Sequence, residues 1–164
     1  MTWLKKTLAL PAELATAIAL EGRLLAWSDH SDGFIAITNN SLVSIDAQVI
    51  TITPWSKSLQ AKWDPPNLIV IFQGQHDPIA ESRSWVLAET SQLPRAVRDR
   101  VTSAVVVDRV FELPNAGKVR FVARKDRNQS YWTAIADDQQ ASETEVGQIE
   151  IAQALVELRS SFGI

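Results

Sequence analysis

The side chains that could carry acid–base or nucleophilic chemistry are few. Asp29, His30, Ser31 and Asp32 contain the residue types of a Ser-His-Asp triad, but they are consecutive in the chain. Triad side chains come from separate elements so that they converge on one reacting atom, whereas neighbours in a loop point apart. We therefore interpret this segment as a turn rich in hydrogen-bonding side chains. The other histidine, His76, follows the end of a predicted strand.

Composition excludes several other chemistries. The 164 residues include no cysteine and only six scattered glycines, so disulfides, thiolate catalysis and a phosphate-cradling glycine loop are excluded. A zinc site would need two carboxylates beside His30 and His76, and the chain shows no ligand spacing of that kind. We predict no catalytic residue, no metal and no cofactor. The alternative is an enzyme with a site near His30 or His76.

Charge is distributed unevenly along the chain. The net charge is -3, but residues 95–127 carry nine basic and four acidic side chains, whereas residues 128–164 carry one and six. The basic segment predicts an anion-binding or partner-binding surface, because clustered positive potential concentrates anions. The alternative is that the two segments neutralise each other in the fold.

The basic segment supplies the candidate binding residues. Six of its cations form the predicted set: Arg95, Arg98, Arg100, Lys118, Arg120 and Arg124. The first three lie on a predicted helix, and alternation in a strand over 118–125 places the last three on one face. Cations grouped in this way predict a phosphate-binding surface. Trp85 is the candidate aromatic contact for a partner groove or a homodimer.

The charge distribution and the apolar pattern of the chain also predict its partners and its location. We expect a protein partner, with a homodimer or an anionic lipid as alternatives. Nucleic acid is not expected, because the chain lacks an overall basic excess and Phe121 falls on the face opposite the cations. Pro11 and Glu13 interrupt the apolar stretch after Lys5 and Lys6, which does not fit a secretory leader, and no stretch has the length of a membrane span. These features predict a cytoplasmic protein.

Periodicity predicts an α+β fold in a single domain over 1–164. Helical spacing covers 1–20, and short runs between turns make a first sheet over 23–75. A helix near 92–104 and a second sheet follow over 92–140, and a capping-box spacing begins a carboxy-terminal helix over 143–162. The closely spaced runs predict an antiparallel meander rather than βαβ units.

The carboxy-terminal helix carries an apolar stripe at helical spacing. Its members are Val146, Ile149, Ala152, Leu155 and Val156. Such a stripe is typical of a helix that packs on a core, so we expect this helix to close the sheet through these residues.

Residues 24–72 resemble the first strands of the pleckstrin-homology-like fold, in its bacterial and GRAM-type variants. The resemblance rests on the hairpin over 35–43, in which an apolar run, Thr38, two asparagines and Leu42 succeed each other, and on Pro54-Trp55 after it. It implies a strongly bent antiparallel sheet or barrel whose open end is plugged by the carboxy-terminal helix. The helix near 92–104 is an insertion relative to that pattern.

Most of the chain is also similar to a set of actinobacterial cytoplasmic proteins without an assigned function. The shared features are Leu25-Ala26-Trp27, Ala61-Lys62-Trp63-Asp64, the stretch over 93–101 and Val122-Ala123-Arg124. Together the residues and the resemblances predict a noncatalytic interaction or scaffold module. It would bind a protein partner or an anionic ligand through a basic strand face.

Overall fold

The structure is a computed structural model that describes residues 9–73 and 80–164. The strands are β1 (Leu24–His30), β2 (Gly33–Thr38), β3 (Ser41–Asp46), β4 (Val49–Pro54), β5 (Ser58–Asp64), β6 (Asn67–Phe72), β7 (Glu81–Val86), β8 (Val105–Leu113), β9 (Gly117–Asp126) and β10 (Gln129–Ala136). The helices are α1 (Ala12–Ile18), α2 (Leu93–Ala104), α3 (Gln139–Glu143) and α4 (Glu145–Phe162), with a 3-10 turn at Trp55–Lys57.

All strand pairs are antiparallel, and they form three sheets. The first contains β1 to β4 in chain order, the second β5 to β7, and the third has the order β10-β9-β8. The predicted α+β class and antiparallel meander are therefore confirmed. Across the described ranges, no strand of one sheet pairs with a strand of another, so the sheets do not close into a barrel.

The helix predicted near 92–104 is α2, and it packs into the main core with the first two sheets. Its buried residues Leu93, Val97 and Val101 recur every four positions, and the same cluster contains Ile35 and Leu68 from the two sheets. Proline in the first turn of α2 is tolerated because that N–H has no partner in the helix. The helix that packs against the first two sheets is therefore α2, not the carboxy-terminal helix.

The carboxy-terminal helix, α4, packs on the third sheet through a different side from the predicted one. Leu158 of α4 is buried in a cluster with Val119 and Phe121 of β9. Val146, Ile149 and Val156 of the predicted stripe are 54%, 50% and 68% exposed, so the expectation that they face the core is wrong. Leu155 of the predicted stripe does pack against this cluster, whereas Ala152 is exposed. The physical reason is that apolar residues also lie on the inner side of the helix beside Leu155: Gly147, Ile151, Ala154 and Leu158.

The amino-terminal helix α1 covers part of the outer face of the first sheet. Leu14 and Ile18 are buried against Ala36, Val43 and Ile45. Helix α1 occupies Ala12–Ile18 of the segment 1–20 in which helical spacing is predicted, and residues 1–8 of that segment lie outside the described residues. Within 9–73 and 80–164, no helix has the length and apolar character needed to cross a bilayer.

Candidate anion-binding cleft

A cleft of about 240 Å³ lies between α2 and the turn that joins β9 to β10. It is lined by Asn39, Asn40, Trp55, Arg100, Ser103, Ala104, Lys125, Asp126 and Arg127. Three of these side chains are cations and one is a carboxylate, so the lining is net positive in a chain that is net negative. We call this site the basic cleft.

Thr38 holds one wall of the basic cleft in place. Its hydroxyl oxygen accepts hydrogen bonds from the backbone N–H of Asn40 at 3.2 Å and of Ser41 at 3.0 Å, and the hydroxyl donates to the carbonyl of Glu21 at 2.7 Å. The indole N–H of Trp55 donates to the Thr38 carbonyl at 2.9 Å. The tight β2–β3 turn and the tryptophan beside it are therefore fixed by buried hydrogen bonds.

The opposite wall is the two-residue turn between β9 and β10. Asp126 pairs with Gln129 across this hairpin, and Arg127 adopts a left-handed φ of 54° between them. The Ser56 hydroxyl donates to Oδ2 of Asp126 at 3.4 Å, which links the turn to the 3-10 turn. Lys125 is the exposed residue before this pair.

The cations of the basic cleft have no carboxylate partner within residues 9–73 and 80–164. Among the residues that the structure places, Arg100, Lys125 and Arg127 form no ion pair. Their charges are consequently available to a ligand. Guanidinium groups bind phosphate or carboxylate oxygens in a bidentate manner, and an ammonium adds a point charge.

The predicted basic face of β9 shows the expected alternation, but its three cations are not all available to a ligand. Arg120 forms a bidentate ion pair with Asp108, with Nε and Nη2 at 2.8 and 2.5 Å from the two carboxylate oxygens. The hydrogen bonds from Arg120 lower the pKa of Asp108 below its usual value, against a smaller opposing effect of burial. Lys118 is exposed on the same strand.

Arg124, the third residue of that face, is buried with 4% of its surface exposed. Its Nη1 lies 3.5 Å from the Thr133 hydroxyl, and its Nε has no hydrogen-bond partner. Burial, assisted by the nearby Arg120, lowers the pKa of this guanidinium below its ordinary value. Arg124 is therefore a buried cation within the fold and is not displayed as a surface cation.

The remaining predicted arginines lie on two sides of α2. Arg95 and Arg98 line a separate cleft of about 450 Å³ beside Trp63, while Arg100 lines the basic cleft. The structure thus does not bring the six predicted cations onto one surface. Sequence reasoning missed Lys125 and Arg127, although both belong to the segment with excess positive charge.

The acidic carboxy-terminal segment does not neutralise the basic segment through ion pairs. No carboxylate of residues 128–164 forms an ion pair with a described cation of residues 95–127. Glu150 of α4 instead accepts hydrogen bonds from the backbone N–H groups of Asn115 and Ala116, at 2.8 and 2.9 Å. It thereby ties α4 to the β8–β9 turn.

His30 forms a cluster with Asp46 and Trp85 in which the His30 side chain is 3% exposed and the Asp46 side chain 43% exposed. Its Nδ1 accepts a hydrogen bond from the Asp32 N–H at 3.2 Å, so the proton of the neutral ring is on Nε2. That Nε2 is 3.2 Å from Oδ1 of Asp46, although the geometry falls short of a hydrogen bond. The His30 ring is thus held between the Asp32 backbone and the Asp46 carboxylate.

Trp85 belongs to the same cluster. It is buried in the main core, and its indole N–H donates to Oδ1 of Asp46 at 3.2 Å. A partner groove or homodimer contact at Trp85 required an exposed ring, so that prediction is wrong for this residue. Its physical role is to fill the core and satisfy Asp46. His76, the other histidine of the predicted alternative, lies outside the described residues.

Comparison with other proteins adds no assignment. No family model matches the chain, and no curated protein or solved structure matches it. Within the described ranges, no three histidine or carboxylate side chains converge as metal ligands. The functional argument therefore rests on the geometry and charge of the basic cleft.

Proposed function

We propose that this chain is a noncatalytic binding module that takes the phosphate group of an anionic ligand in the basic cleft. The observation that carries the proposal is the group of Arg100, Lys125 and Arg127, which surround one cleft and have no described carboxylate partner. In a protein of net charge -3, such a local surplus of positive potential favours anion binding.

The lining of the cleft supports binding rather than catalysis. It contains no histidine, and its hydroxyl group, on Ser103, donates to the backbone carbonyl of Asp99 within α2. A nucleophile is activated by an adjacent base that takes its proton, and the Ser103 proton is directed to a backbone carbonyl instead. Two asparagine side chains complete the set of polar groups that can orient an oxyanion.

The pleckstrin-homology-like relationship is also a proposal. It is supported by two antiparallel sheets within residues 24–86, followed by an amphipathic helix, α2, that packs into their shared core. In this proposal α2 packs against the sheets in the position that the resemblance assigns to the carboxy-terminal helix. An experimental structure in which the first two sheets meet edge to edge around α2 would support this relationship. A structure in which the two sheets stay apart would contradict it.

Isothermal titration calorimetry of the full chain with pyrophosphate tests the proposed function. We expect saturable binding that weakens with added salt, since screening reduces the attraction between exposed charges. The double variant Arg100→Gln/Arg127→Gln should weaken that binding at least about tenfold, because charge-assisted hydrogen bonds contribute about 1.5–3 kcal/mol each. The absence of saturable binding by the wild-type chain would overturn the proposal.

The matched control is Arg95→Gln/Arg98→Gln, which removes the same charge from α2 outside the basic cleft. This control should bind pyrophosphate as tightly as the wild-type chain. Equal weakening in both double variants would show a general charge effect and would contradict a specific site. Sedimentation with phosphatidylcholine vesicles, with and without phosphatidic acid, then distinguishes a lipid headgroup from a free phosphate compound.

A further inference from the structure

A second cleft adjoins the basic cleft at the β9–β10 turn. Its volume is about 450 Å³, and small-molecule pockets occupy about 300–1,000 Å³. Asp126 and Arg127 line both clefts, so the two cavities meet at these residues. Both also take lining residues from the chain near the β2–β3 turn and near the 3-10 turn. We call the second cavity the outer cleft.

The two clefts differ in the sign of their charge. Among the described residues, the outer cleft is lined by the carboxylates of Glu21 and Asp126 and by one cation, Arg127. The basic cleft is lined by three cations and by Asp126. Within residues 9–73 and 80–164, neither Glu21 nor Asp126 forms an ion pair. Carboxylates without a cation partner therefore lie beside the free cations of the basic cleft.

Glu21 is held at the outer cleft by three hydrogen bonds. Its backbone N–H donates to the Ile18 carbonyl at 2.9 Å, and its own carbonyl accepts from the Thr38 hydroxyl at 2.7 Å. The buried Ser41 hydroxyl donates to Oε2 of the Glu21 carboxylate at 2.6 Å. The other oxygen, Oε1, has no hydrogen-bond partner in the described chain. This half-buried carboxylate is therefore fixed in place and keeps one oxygen for a ligand.

The remaining side chains of the outer cleft suit a small cation on a short apolar stem. Tyr131 contributes an aromatic ring, and Ile52 and Pro54 contribute apolar groups. An ammonium group donates hydrogen bonds to carboxylates and is attracted to the face of a tyrosine ring. The methylene groups that carry it can pack against proline and isoleucine side chains. The outer cleft thus has the groups that recognise an alkylammonium.

We propose that the two clefts together bind a phosphate ester of an amino alcohol, with its phosphate in the basic cleft and its primary ammonium group beside Glu21. This inference rests on the proposed function and adds the chemical class of the ligand. Because Arg127 lies where the clefts meet, an ester that binds Arg127 through its phosphate can extend its ammonium group into the outer cleft. This arrangement gives specificity, since a ligand that is anionic at both ends would meet the carboxylates with like charge.

Isothermal titration calorimetry of the full chain with phosphoethanolamine and propyl phosphate tests this proposal. The two esters have the same length, but propyl phosphate has a methyl group in place of the ammonium group. Attraction to cations alone favours propyl phosphate, which carries the larger net negative charge at neutral pH. We expect the wild-type chain instead to bind phosphoethanolamine at least about tenfold more tightly, because of the charge-assisted hydrogen bond to Glu21.

The variant Glu21→Gln removes the charge and retains the oxygen that accepts from Ser41, so it should fold, which circular dichroism verifies. It should lose the preference for phosphoethanolamine and bind pyrophosphate at least as tightly as the wild-type chain. The matched control is Glu157→Gln, an exposed glutamate on α4 that lines neither cleft. This control should keep the preference.

Binding of pyrophosphate distinguishes failure of this inference from failure of the proposed function. A wild-type chain that binds pyrophosphate but does not prefer phosphoethanolamine would overturn the inference alone. A preference that persists in Glu21→Gln would overturn it as well. A chain that binds neither pyrophosphate nor either ester would overturn both.

Two sources can supply such an ester, a lipid headgroup and a soluble compound. Sedimentation with phosphatidylcholine vesicles, with and without phosphatidylethanolamine, distinguishes them once phosphoethanolamine binding is measured. Sedimentation that requires phosphatidylethanolamine would support the headgroup, and a chain that stays in the supernatant would support the soluble ester.

Discussion

At the scale of single residues, Arg124 is the side chain whose environment costs most. A guanidinium is stabilised by water or by a carboxylate, and within the described residues this buried one has no carboxylate partner, a 3.5 Å contact from Nη1 to the Thr133 hydroxyl and an unpartnered Nε. Replacement of buried charged groups by apolar residues of similar volume is often neutral or stabilising, by about 1–4 kcal/mol. The position therefore carries a net cost that a substitution can remove.

We predict that Arg124→Met increases the free energy of unfolding by about 1–2 kcal/mol, because it removes a buried charge without a partner. Urea denaturation followed by circular dichroism measures this change. The control is Arg120→Met, which breaks the exposed ion pair with Asp108 and should lower stability by less than about 1 kcal/mol. A loss of stability in Arg124→Met would show that the guanidinium is satisfied in solution.

The same residues show what a sequence can predict at this scale. Strict alternation predicts which face of β9 carries Lys118, Arg120 and Arg124, because side chains on a strand alternate with a period of two. It does not predict that Arg120 finds Asp108 on the neighbouring strand or that Arg124 is covered. Both facts depend on register and on packing between elements that are distant in the chain. For the same reason, the sequence does not predict that Arg127 and Arg100 line the same cleft.

At the scale of elements, α4 shows that a helix can be predicted correctly while the side of it that packs on the core is predicted wrongly. Its sequence has two apolar stripes on opposite sides, and period alone cannot choose between them. The third sheet packs against the side with Ala154, Leu155 and Leu158. At the start of the helix this side meets α3, where a Cβ on Gly147 would collide with the Ala141 carbonyl oxygen. Close approach at the start of the helix thus requires glycine on the inner side at position 147.

Alanine substitutions on the two sides of α4 test this orientation. Leu158→Ala should lower the free energy of unfolding by about 2–3 kcal/mol, because it leaves a cavity against Val119 and Phe121. Val156→Ala, the matched control on the outer side, should change it by less than about 0.5 kcal/mol. Chemical denaturation of both variants gives the comparison. Equal effects, or a larger effect at Val156, would contradict the orientation described here.

Glu150 connects two elements and gives a pH-dependent prediction. Partial desolvation raises the pKa of its carboxyl group, but the hydrogen bonds from Ala116 and Asn115 together outweigh this and lower it below the ordinary value. A carboxyl group whose pKa is lowered in the folded state stabilises the fold above its unfolded pKa of about 4.3. That contribution is lost as pH falls through the folded-state pKa.

We therefore expect the Asn115 and Ala116 amides to exchange faster with solvent when Glu150 is neutral. Hydrogen exchange measured by NMR should show faster exchange at these two amides in Glu150→Gln than in the wild-type chain at neutral pH. The difference should narrow as pH falls through the folded-state pKa of Glu150, which lies below the ordinary glutamate value, because the wild-type carboxyl group then becomes protonated as well. Glu157→Gln, an exposed glutamate on the same helix, should leave both amides unchanged. If both amides exchanged at the same rate in Glu150→Gln and in the wild-type chain, the hydrogen bonds from these amides to the Glu150 carboxylate would be contradicted.

At the scale of the whole molecule, the chain connection from α2 to β8 and the contact of β9 with the 3-10 turn join the main core to the third sheet. α2 ends at Ala104 and β8 begins at Val105, so a helix of the main core continues directly into the third sheet. β9 contacts the 3-10 turn, where the Ser56 hydroxyl donates to Asp126. The basic cleft lies at this junction, since its walls come from both parts. Unfolding of either the main core or the third sheet would therefore displace one wall of the basic cleft.

This junction predicts that the main core and the third sheet unfold in one transition. Hydrogen exchange of the full chain should give opening free energies for the buried amides of β3 and of β9 that agree within about 1 kcal/mol, as in a single cooperative unit. Leu158→Ala, which directly affects only the cluster beneath α4, should lower both values equally. If that substitution lowered the protection of β9 and left β3 unchanged, the two parts would be independent units. The single-domain organisation predicted from the sequence would then be wrong, because the chain would contain two cores that are joined only by the α2–β8 connection.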